Sequence, residues 1–143
     1  MGKQPLHAKL GHLLRIMTKV RVLLADSHPQ VRTQLAARLQ REEDIELVAQ
    51  ASNSGQMLRL TLSNPPDVLL IDPVMQDGFG LANLRQIVSR LPALAVVVLT
   101  AYVDTALKIE LNRMGINQIL SKGLASENLI DVIRSMAHTA IST

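Results

Sequence analysis

The sequence Asp67-Val68-Leu69-Leu70-Ile71-Asp72, continued by Pro73-Val74-Met75-Gln76-Asp77-Gly78, decides how this chain folds. Its four consecutive apolar residues predict a strand that is buried on both faces of a sheet. Asp72 ends this strand and is followed by turn-forming residues, so the sequence places a carboxylate at the rim of the sheet. Ligands bind at the carboxyl ends of the strands in open parallel α/β sheets. Asp72 is therefore the first candidate for a functional residue.

Apolar strands alternate with amphipathic segments along most of the chain. Strands are predicted at residues 20–25, 45–51, 67–72, 94–99 and 116–120, and helices at about 28–41, 53–63, 81–91, 104–114 and 126–138. Short connections between such units require crossovers that place helices on both faces of a parallel sheet. The pattern therefore predicts a doubly wound, five-stranded α/β domain.

The beginning of the chain differs in charge from the rest. Residues 1–25 contain five bases and no acid, whereas the other 118 residues contain ten bases and twelve acids. The net charge of +3 therefore gives no reason to expect nucleic-acid binding by the folded body. Apolar residues at positions 6, 10, 13, 14 and 17 predict a short amphipathic helix. We expect a basic leader (1–17), a domain (18–140) and a tail (141–143). The leader either docks on a partner or membrane surface, or is an upstream segment, disordered or resting on a neighbour.

Composition excludes several classes of protein. The absence of cysteine excludes a disulfide scaffold, a thiolate zinc site and a cysteine nucleophile, and is in keeping with a cytoplasmic location. Tyr102 and Phe79 are the only aromatic residues, which is too few for stacking single-stranded bases. No apolar run is long enough to span a membrane. The chain also lacks the Gly-x-Ser-x-Gly elbow of serine hydrolases and the glycine-rich turn of dinucleotide sites.

Polar side chains follow four of the five predicted strands. These residues are Asp26 and Ser27 after the first strand, Asp72 after the third, Thr100 after the fourth and Lys122 after the fifth. Because parallel strands end at one edge, we expect them to lie together. Two nearby carboxylates repel each other unless a cation lies between them, and an oxygen site of this kind suits Mg²⁺. A carboxylate can also act as a nucleophile toward a phosphoryl group, whose oxygens the metal, the lysine and the hydroxyl could bind.

In these segments the chain resembles the receiver domain of two-component response regulators. The resemblance covers about residues 18–140 and is carried by Val-Leu-Leu-Ala-Asp-Ser-His-Pro at 22–29, the opening strand at 67–72, Leu-Thr-Ala at 99–101 and Leu-Ser-Lys at 120–122. It implies a flavodoxin-like sheet with the strand order 2-1-3-4-5. The Ala-Asp-Ser-His-Pro opening is similar to that of regulators with a carboxyl-terminal helix-turn-helix, which would make the parent protein a transcription factor.

The resemblance also implies a role for individual residues. Asp72 would accept a phosphoryl group from the phosphohistidine of a sensor histidine kinase. Asp26 would bind Mg²⁺ together with Asp72 and the backbone carbonyl of Val74. Thr100 would turn its hydroxyl toward the phosphoryl group, and Lys122 would pair with it. The chain would then be a signalling domain rather than an enzyme, catalysing at most its own phosphotransfer and dephosphorylation.

The expected output is a change in a protein-binding face. Phosphorylation would alter the face formed by residues 104–114, residues 116–120 and the last helix. The resemblance implies a homodimer, with DNA reached only through an output domain outside this sequence and no membrane partner.

Four positions depart from the family pattern, one of them Gly123, which often corresponds to a proline. Ser27 replaces a second acid, so Mg²⁺ should bind more weakly, with Ser27 a weak ligand or one acting through water. Gln76 replaces a proline, and Ile119 replaces the aromatic switch residue of many members. Tyr102, two residues after Thr100, could take part of that switch role or shield the phosphoryl group from water. An alternative therefore stays open, a degenerate pseudo-receiver that acts as a phosphorylation-independent dimerisation module.

His28 and Asp77, which also lie near the rim of the sheet, are expected to have structural roles. His28 is expected to start a helix rather than to bind a metal, because no second histidine lies at metal-binding spacing. Asp77 is expected to form a turn with Gly78. A Mg²⁺-dependent phosphatase built on Asp72 is disfavoured, because no second acid lies two residues after it.

Overall fold

Five short strands and six helices make up the part of the chain that the structure describes. The computed structural model describes residues 5–123 and 128–142. The strands are β1 (Val20–Ala25), β2 (Ile45–Ala51), β3 (Val68–Ile71), β4 (Ala95–Thr100) and β5 (Ile119–Ser121). The helices are α1 (Leu6–Met17), α2 (Pro29–Gln40), α3 (Ser54–Ser63), α4 (Gly80–Arg90), α5 (Thr105–Arg113) and α6 (Leu129–Ser142). The sheet has the order β2-β1-β3-β4-β5, which confirms the predicted fold.

The register of the sheet brings the polar strand ends together. All four strand pairs are parallel, and Ala25 of β1 lies opposite Ile71 of β3. The next residue of each strand is an aspartate, and the amide of Asp72 donates a 3.0 Å hydrogen bond to the carbonyl of Ala25. The two aspartates therefore leave neighbouring strands at the same level.

The core consists of two clusters, one on each face of the sheet. Alternate residues of β1, β3 and β4 contribute to opposite clusters, so that Leu23 belongs to one cluster and Leu24 to the other. α2 and α6 cover the face with Leu24, whereas α3, α4 and α5 cover the face with Leu23. Burial on both faces explains why β3 is apolar at every position.

The predicted start of β5 was wrong by three residues. The amides of Gly115 and Ile116 bond back to the carbonyls of Asn112 and Leu111, which completes the carboxyl-terminal cap of α5. Gly115 adopts the left-handed conformation that this cap requires, with φ of 82°. Ile116 is therefore buried in the core but is not available for the sheet ladder, and β5 begins at Ile119.

The two ends of the chain also allow a comparison with the predictions. α1 forms where the leader periodicity predicts a helix, but its leucines at positions 6, 10, 13 and 14 are exposed. Its His12 Nε2 lies 3.4 Å from Glu43 Oε2 of the body. α6 continues to Ser142, beyond the predicted end at residue 138, and its predicted cap Ser126 lies outside the described residues. Among the described helices, none has the length and apolar character needed to cross a bilayer.

Candidate functional site

Two buried aspartates and one lysine are in direct contact at the carboxyl edge of the sheet. Lys122 Nζ lies 2.9 Å from Asp26 Oδ2 and 2.6 Å from Asp72 Oδ2. The lysine follows β5 directly, and its amide donates a 2.9 Å hydrogen bond to the carbonyl of Thr100 at the end of β4. Three different strands therefore deliver the three charged groups to one point.

The charge state of Lys122 reflects two opposing effects. Burial by itself would lower the pKa of Lys122, but the hydrogen bonds and charges of Asp72 and Asp26 outweigh it and raise the pKa above its ordinary value. Lys122 is thus an ammonium at neutral pH. With both aspartates ionised, the three groups carry one uncompensated negative charge.

The second oxygen of each aspartate has its own partners. Asp72 Oδ1 accepts a 3.0 Å hydrogen bond from the amide of Val74. Asp26 Oδ1 accepts a 2.8 Å hydrogen bond from the amide of His28, and His28 Nδ1 also lies 2.8 Å from this oxygen. Asp26, His28 and Asp72 each offer a ligand atom within 4.8 Å of the other two.

The His28 ring contacts Asp26, and the sequence interpretation did not predict this contact. His28 precedes α2 as predicted, at the N-cap position. Asp26 accepts a hydrogen bond from the amide of His28, two residues later, which is a common turn for aspartate. This turn also brings the His28 ring back onto Asp26. The available signal was this spacing of two residues at a strand end, not a second histidine.

The loop after β3 is anchored away from the acid pair, as predicted. Asp77 accepts hydrogen bonds from the amide and hydroxyl of Ser54 at 2.8 and 2.7 Å, and from the amide of Phe79 at 3.0 Å. The Phe79 amide first, then the two Ser54 donors, lower the pKa of Asp77. Gly78, with φ of 78°, makes the turn. Asp77 thus fixes the loop to the start of α3.

A cavity of about 530 Å³ opens beside Asp72. Its walls include Asp72, Val74, Thr100, Tyr102 and His28. Thr100 is buried, whereas Tyr102 is 76% exposed. The cavity has the volume of a small-molecule site and contains a carboxylate in its wall.

The remaining predicted residues occupy different environments. Ser27 is buried next to Asp26, and its Oγ finds no hydrogen-bond partner within the described part of the protein. Ile119 lies in β5 and packs against the core cluster that contains Leu107 and Ile116. The structure therefore places Lys122 in contact with Asp26 and Asp72, sets Thr100, Val74 and Tyr102 around the adjoining cavity, and leaves Ile119 partly buried against the core.

Comparisons with known proteins agree with this geometry. A family model described as "Response regulator receiver domain" matches residues 22–134. The transcriptional regulatory protein LiaR of Bacillus subtilis (strain 168) is 34% identical over 116 residues, which are 81% of this chain and 55% of LiaR. The chain thus spans about half the length of this relative.

Solved structures show the same fold. The signal receiver domain of NarL from Mycobacterium tuberculosis is 26% identical, with a TM-score of 0.71 over 84% of this chain and 97% of that one. A LuxR-family two-component response regulator from Aurantimonas sp. SI85-9A1 is 22% identical, with a TM-score of 0.77 over 85% of this chain and 86% of that one. At that identity the second match concerns the fold alone.

Proposed function

This chain belongs to the response regulator receiver domain family of two-component signalling, and from that premise we propose that Asp72 accepts a phosphoryl group from the phosphohistidine of a sensor histidine kinase. One observation supports this choice of residue above all. Asp72 is the carboxylate that contacts Lys122 and also borders the cavity of about 530 Å³. Asp26, the other carboxylate of the pair, is not among the residues that line this cavity.

The proposed transfer is a displacement at phosphorus. A carboxylate oxygen of Asp72 forms the new P–O bond while the P–N bond to the donor imidazole breaks, and the imidazole keeps the bonding electron pair. The Lys122 ammonium, 2.6 Å from Asp72 Oδ2, is placed to stabilise the negative phosphoryl oxygens. The Thr100 hydroxyl borders the same cavity and would donate to another of these oxygens.

The residues present fit a divalent cation at this site. The site contains two aspartates and one ammonium, and the hydroxyl of Ser27, which has no hydrogen-bond partner within the described residues, lies next to Asp26. Asp26, Asp72 and the backbone carbonyl of Val74 would hold Mg²⁺, with Ser27 contributing weakly or through water. The ion, when bound, supplies positive charge to the phosphoryl oxygens. With serine in place of an acid, we expect weaker binding than three carboxylates would give.

The proposed output is a change in the face formed by α5, β5 and α6. Thr100 ends β4 and Lys122 follows β5, so a phosphoryl group that draws in both side chains would displace the loops that begin at residues 101 and 122. Ile109 of α5 is an exposed apolar residue on this face. We propose that the face mediates homodimerisation.

The wider role follows from the family and from relative length. The matched relative LiaR is a transcriptional regulatory protein, and this chain spans 55% of it. We propose that residues 18–140 form the receiver unit of a cytoplasmic transcriptional regulator whose DNA contacts are made by a separate output domain.

Incubation with acetyl phosphate and Mg²⁺, followed by intact-mass measurement, tests the proposal. We expect a mass gain of one phosphoryl group that is lost in Asp72→Asn and kept in Asp77→Asn, the matched control at an acid outside the pair. Circular dichroism should show all proteins folded. No mass gain in the folded wild type, or an equal gain in Asp72→Asn, would overturn the proposal and favour a phosphorylation-independent module.

A further inference from the structure

We propose that His28 is a nitrogen ligand of the divalent-cation site, so that the site favours imidazole-binding transition-metal dications over Mg²⁺. The inference rests on the proposed function, since it concerns the same pair of carboxylates, but it goes further by assigning a residue and a metal class to the site. It is carried by the position of the His28 ring against Asp26.

The distances suit ligands of one ion. His28 Nδ1 lies 2.8 Å from Asp26 Oδ1, and ligand atoms of His28, Asp26 and Asp72 all lie within 4.8 Å of one another. Adjacent ligands at right angles around an ion with bonds of about 2.1 Å are roughly 3 Å apart, and opposite ligands are roughly 4.2 Å apart. The three side chains can therefore share one ion after small adjustments.

Lys122 contacts only one of the two carboxylate oxygens of Asp26, and His28 contacts the other. The ammonium contacts the Oδ2 atoms of Asp26 and Asp72, whereas Asp26 Oδ1 is contacted by the amide and the ring of His28. A carboxylate oxygen has two lone pairs. One lone pair of Asp26 Oδ1 can continue to accept the hydrogen bond from the His28 amide. The other can bind a cation in place of the ring N–H.

This exchange needs only a change of tautomer. In the contact that the structure shows, a proton on Nδ1 would be donated to Asp26 Oδ1. With a metal, the Nδ1 lone pair becomes the ligand and the proton lies on Nε2. The His28 side chain is half exposed, so the Nε2 proton can be donated to water and the ring can adjust.

Replacement of an acid by Ser27 acts in the same direction. Magnesium affinity depends on the number of negative oxygen ligands, and this site offers two carboxylates. An imidazole adds no negative charge, but it suits zinc, nickel and iron better than magnesium. Ser27 thus lowers the affinity for Mg²⁺, and His28 raises the affinity for metal ions that bind imidazole nitrogen.

Calorimetric titration of the full chain with Mg²⁺ and with Co²⁺, without any phosphoryl donor, tests the inference. We expect His28→Asn to weaken Co²⁺ binding at least about tenfold, since even outer-shell substitutions typically cost 10–100-fold in metal affinity. The Mg²⁺ affinity should change less than about twofold. Asparagine is a good N-cap residue, so α2 should keep its start. The visible absorption of bound Co²⁺ should also change in His28→Asn.

Two variants serve as controls. His7→Asn removes an exposed histidine from α1 and should leave both titrations unchanged. Ser27→Asp should raise the Mg²⁺ affinity and narrow the preference for Co²⁺. Equal Co²⁺ affinities in wild type and His28→Asn, or an equal loss for both metals, would overturn the inference. Because no phosphoryl donor is present, this result is independent of whether Asp72 passes the mass test above.

Discussion

Two clusters in this protein place a basic side chain between two acidic ones, at opposite edges of the same sheet. At the carboxyl edge, the side chains of Lys122, Asp26 and Asp72 are 15%, 1% and 2% exposed. At the amino edge, the side chains of Arg134, Glu42 and Asp44 are 40%, 36% and 17% exposed. The chemistry of the two clusters is similar, but the second is more accessible to water, mainly through Arg134 and Glu42.

The difference in burial indicates different roles for the two clusters: the Arg134 cluster attaches α6 to the rest of the protein, and the Lys122 cluster forms the candidate site. Arg134 donates to both oxygens of Asp44, at 2.7 and 2.8 Å, and to Glu42 at 2.9 Å, so it ties α6 to the turn before β2. These pairs are more accessible to water than the Lys122 cluster, and we expect a modest contribution from them, supported by the bidentate geometry with Asp44. The buried cluster pays a desolvation cost that only its mutual contacts offset, which makes it a weak source of stability but a strong electrostatic site.

Removing the buried cation should have the largest effect. Lys122→Met leaves the two neighbouring carboxylates of Asp26 and Asp72 buried without the ammonium that contacts both, and we expect a loss of about 3–5 kcal/mol in unfolding free energy in the absence of divalent cations. Urea denaturation measures this loss. Added Mg²⁺ or a second substitution, Asp72→Asn, should recover part of it, while the exposed control Lys108→Met should change stability by less than about 0.5 kcal/mol.

The effect of Lys122 should also depend on pH with a defined sign. Because its pKa in the folded protein is raised above the ordinary value of 10.5, its contribution is fully present below that pH. It is lost as the pH rises through the folded-state pKa. The stability difference between wild type and Lys122→Met should therefore be constant from pH 7 to 10 and shrink above it. A difference that already shrinks between pH 7 and 9 would contradict this reading.

Steric crowding distinguishes two glycines that both lie in the first turn of a helix at the carboxyl edge. A Cβ on Gly80 would lie 1.9 Å from the carbonyl oxygen of Pro73, so Gly80→Ala must displace the loop that carries Val74. We expect a loss of about 1–3 kcal/mol and slower phosphorylation of Asp72. Gly55→Ala, also in the first turn of a helix but with an ordinary 3.5 Å contact, is the control and should be neutral or slightly stabilising. Urea midpoints for the two variants decide the point.

Removing the more accessible cation, Arg134, should have a smaller effect that salt reduces. Arg134→Met is expected to lose about 1 kcal/mol or less at low ionic strength. In about 1 M salt, where the Debye length falls to roughly 3 Å, the loss should become smaller. The loss in Lys122→Met should change much less with salt, because that cluster is buried. Equal salt dependence for the two variants would remove the distinction between the edges.

The smallest expected effect concerns Asp77 and acid. Its pKa is lowered by the Phe79 and Ser54 donors, so its contribution is present above the ordinary value of 3.8 and is lost as the pH falls through the folded-state pKa. The urea midpoints of wild type and Asp77→Asn should differ at pH 6 and converge below about pH 4. Midpoints that stay equally far apart from pH 6 to pH 3 would show that the carboxylate charge is not responsible.

The carboxyl edge could be predicted from the sequence, whereas the amino edge could not. Apolar runs located β1, β3 and β4, and the rule that parallel strands end together brought Asp26, Asp72 and Lys122 to one place. Arg134 and Asp44 are 90 positions apart and only partly buried, and no periodicity marks them.

Two local errors share a cause in backbone hydrogen bonding. The start of β5 was misplaced because the amide of Ile116 completes a helix cap, and the apolar pattern alone does not reveal this. The ring contact of His28 was missed because it depends on the turn between β1 and α2. In both places a polar backbone group decided the outcome, and side-chain hydrophobicity carries no information about it.

The length of β5 has a mechanical consequence. At three residues it is the shorter of the two edge strands, since β2 has seven, and it pairs only with β4. Few ladder bonds must break to detach it, so this margin of the sheet should open at a lower free energy than the centre and exchange its amide hydrogens first. Lys122, which contacts both aspartates, directly follows this strand. Lys122 can therefore change position while β1 and β3, the strands that precede the aspartates, keep theirs.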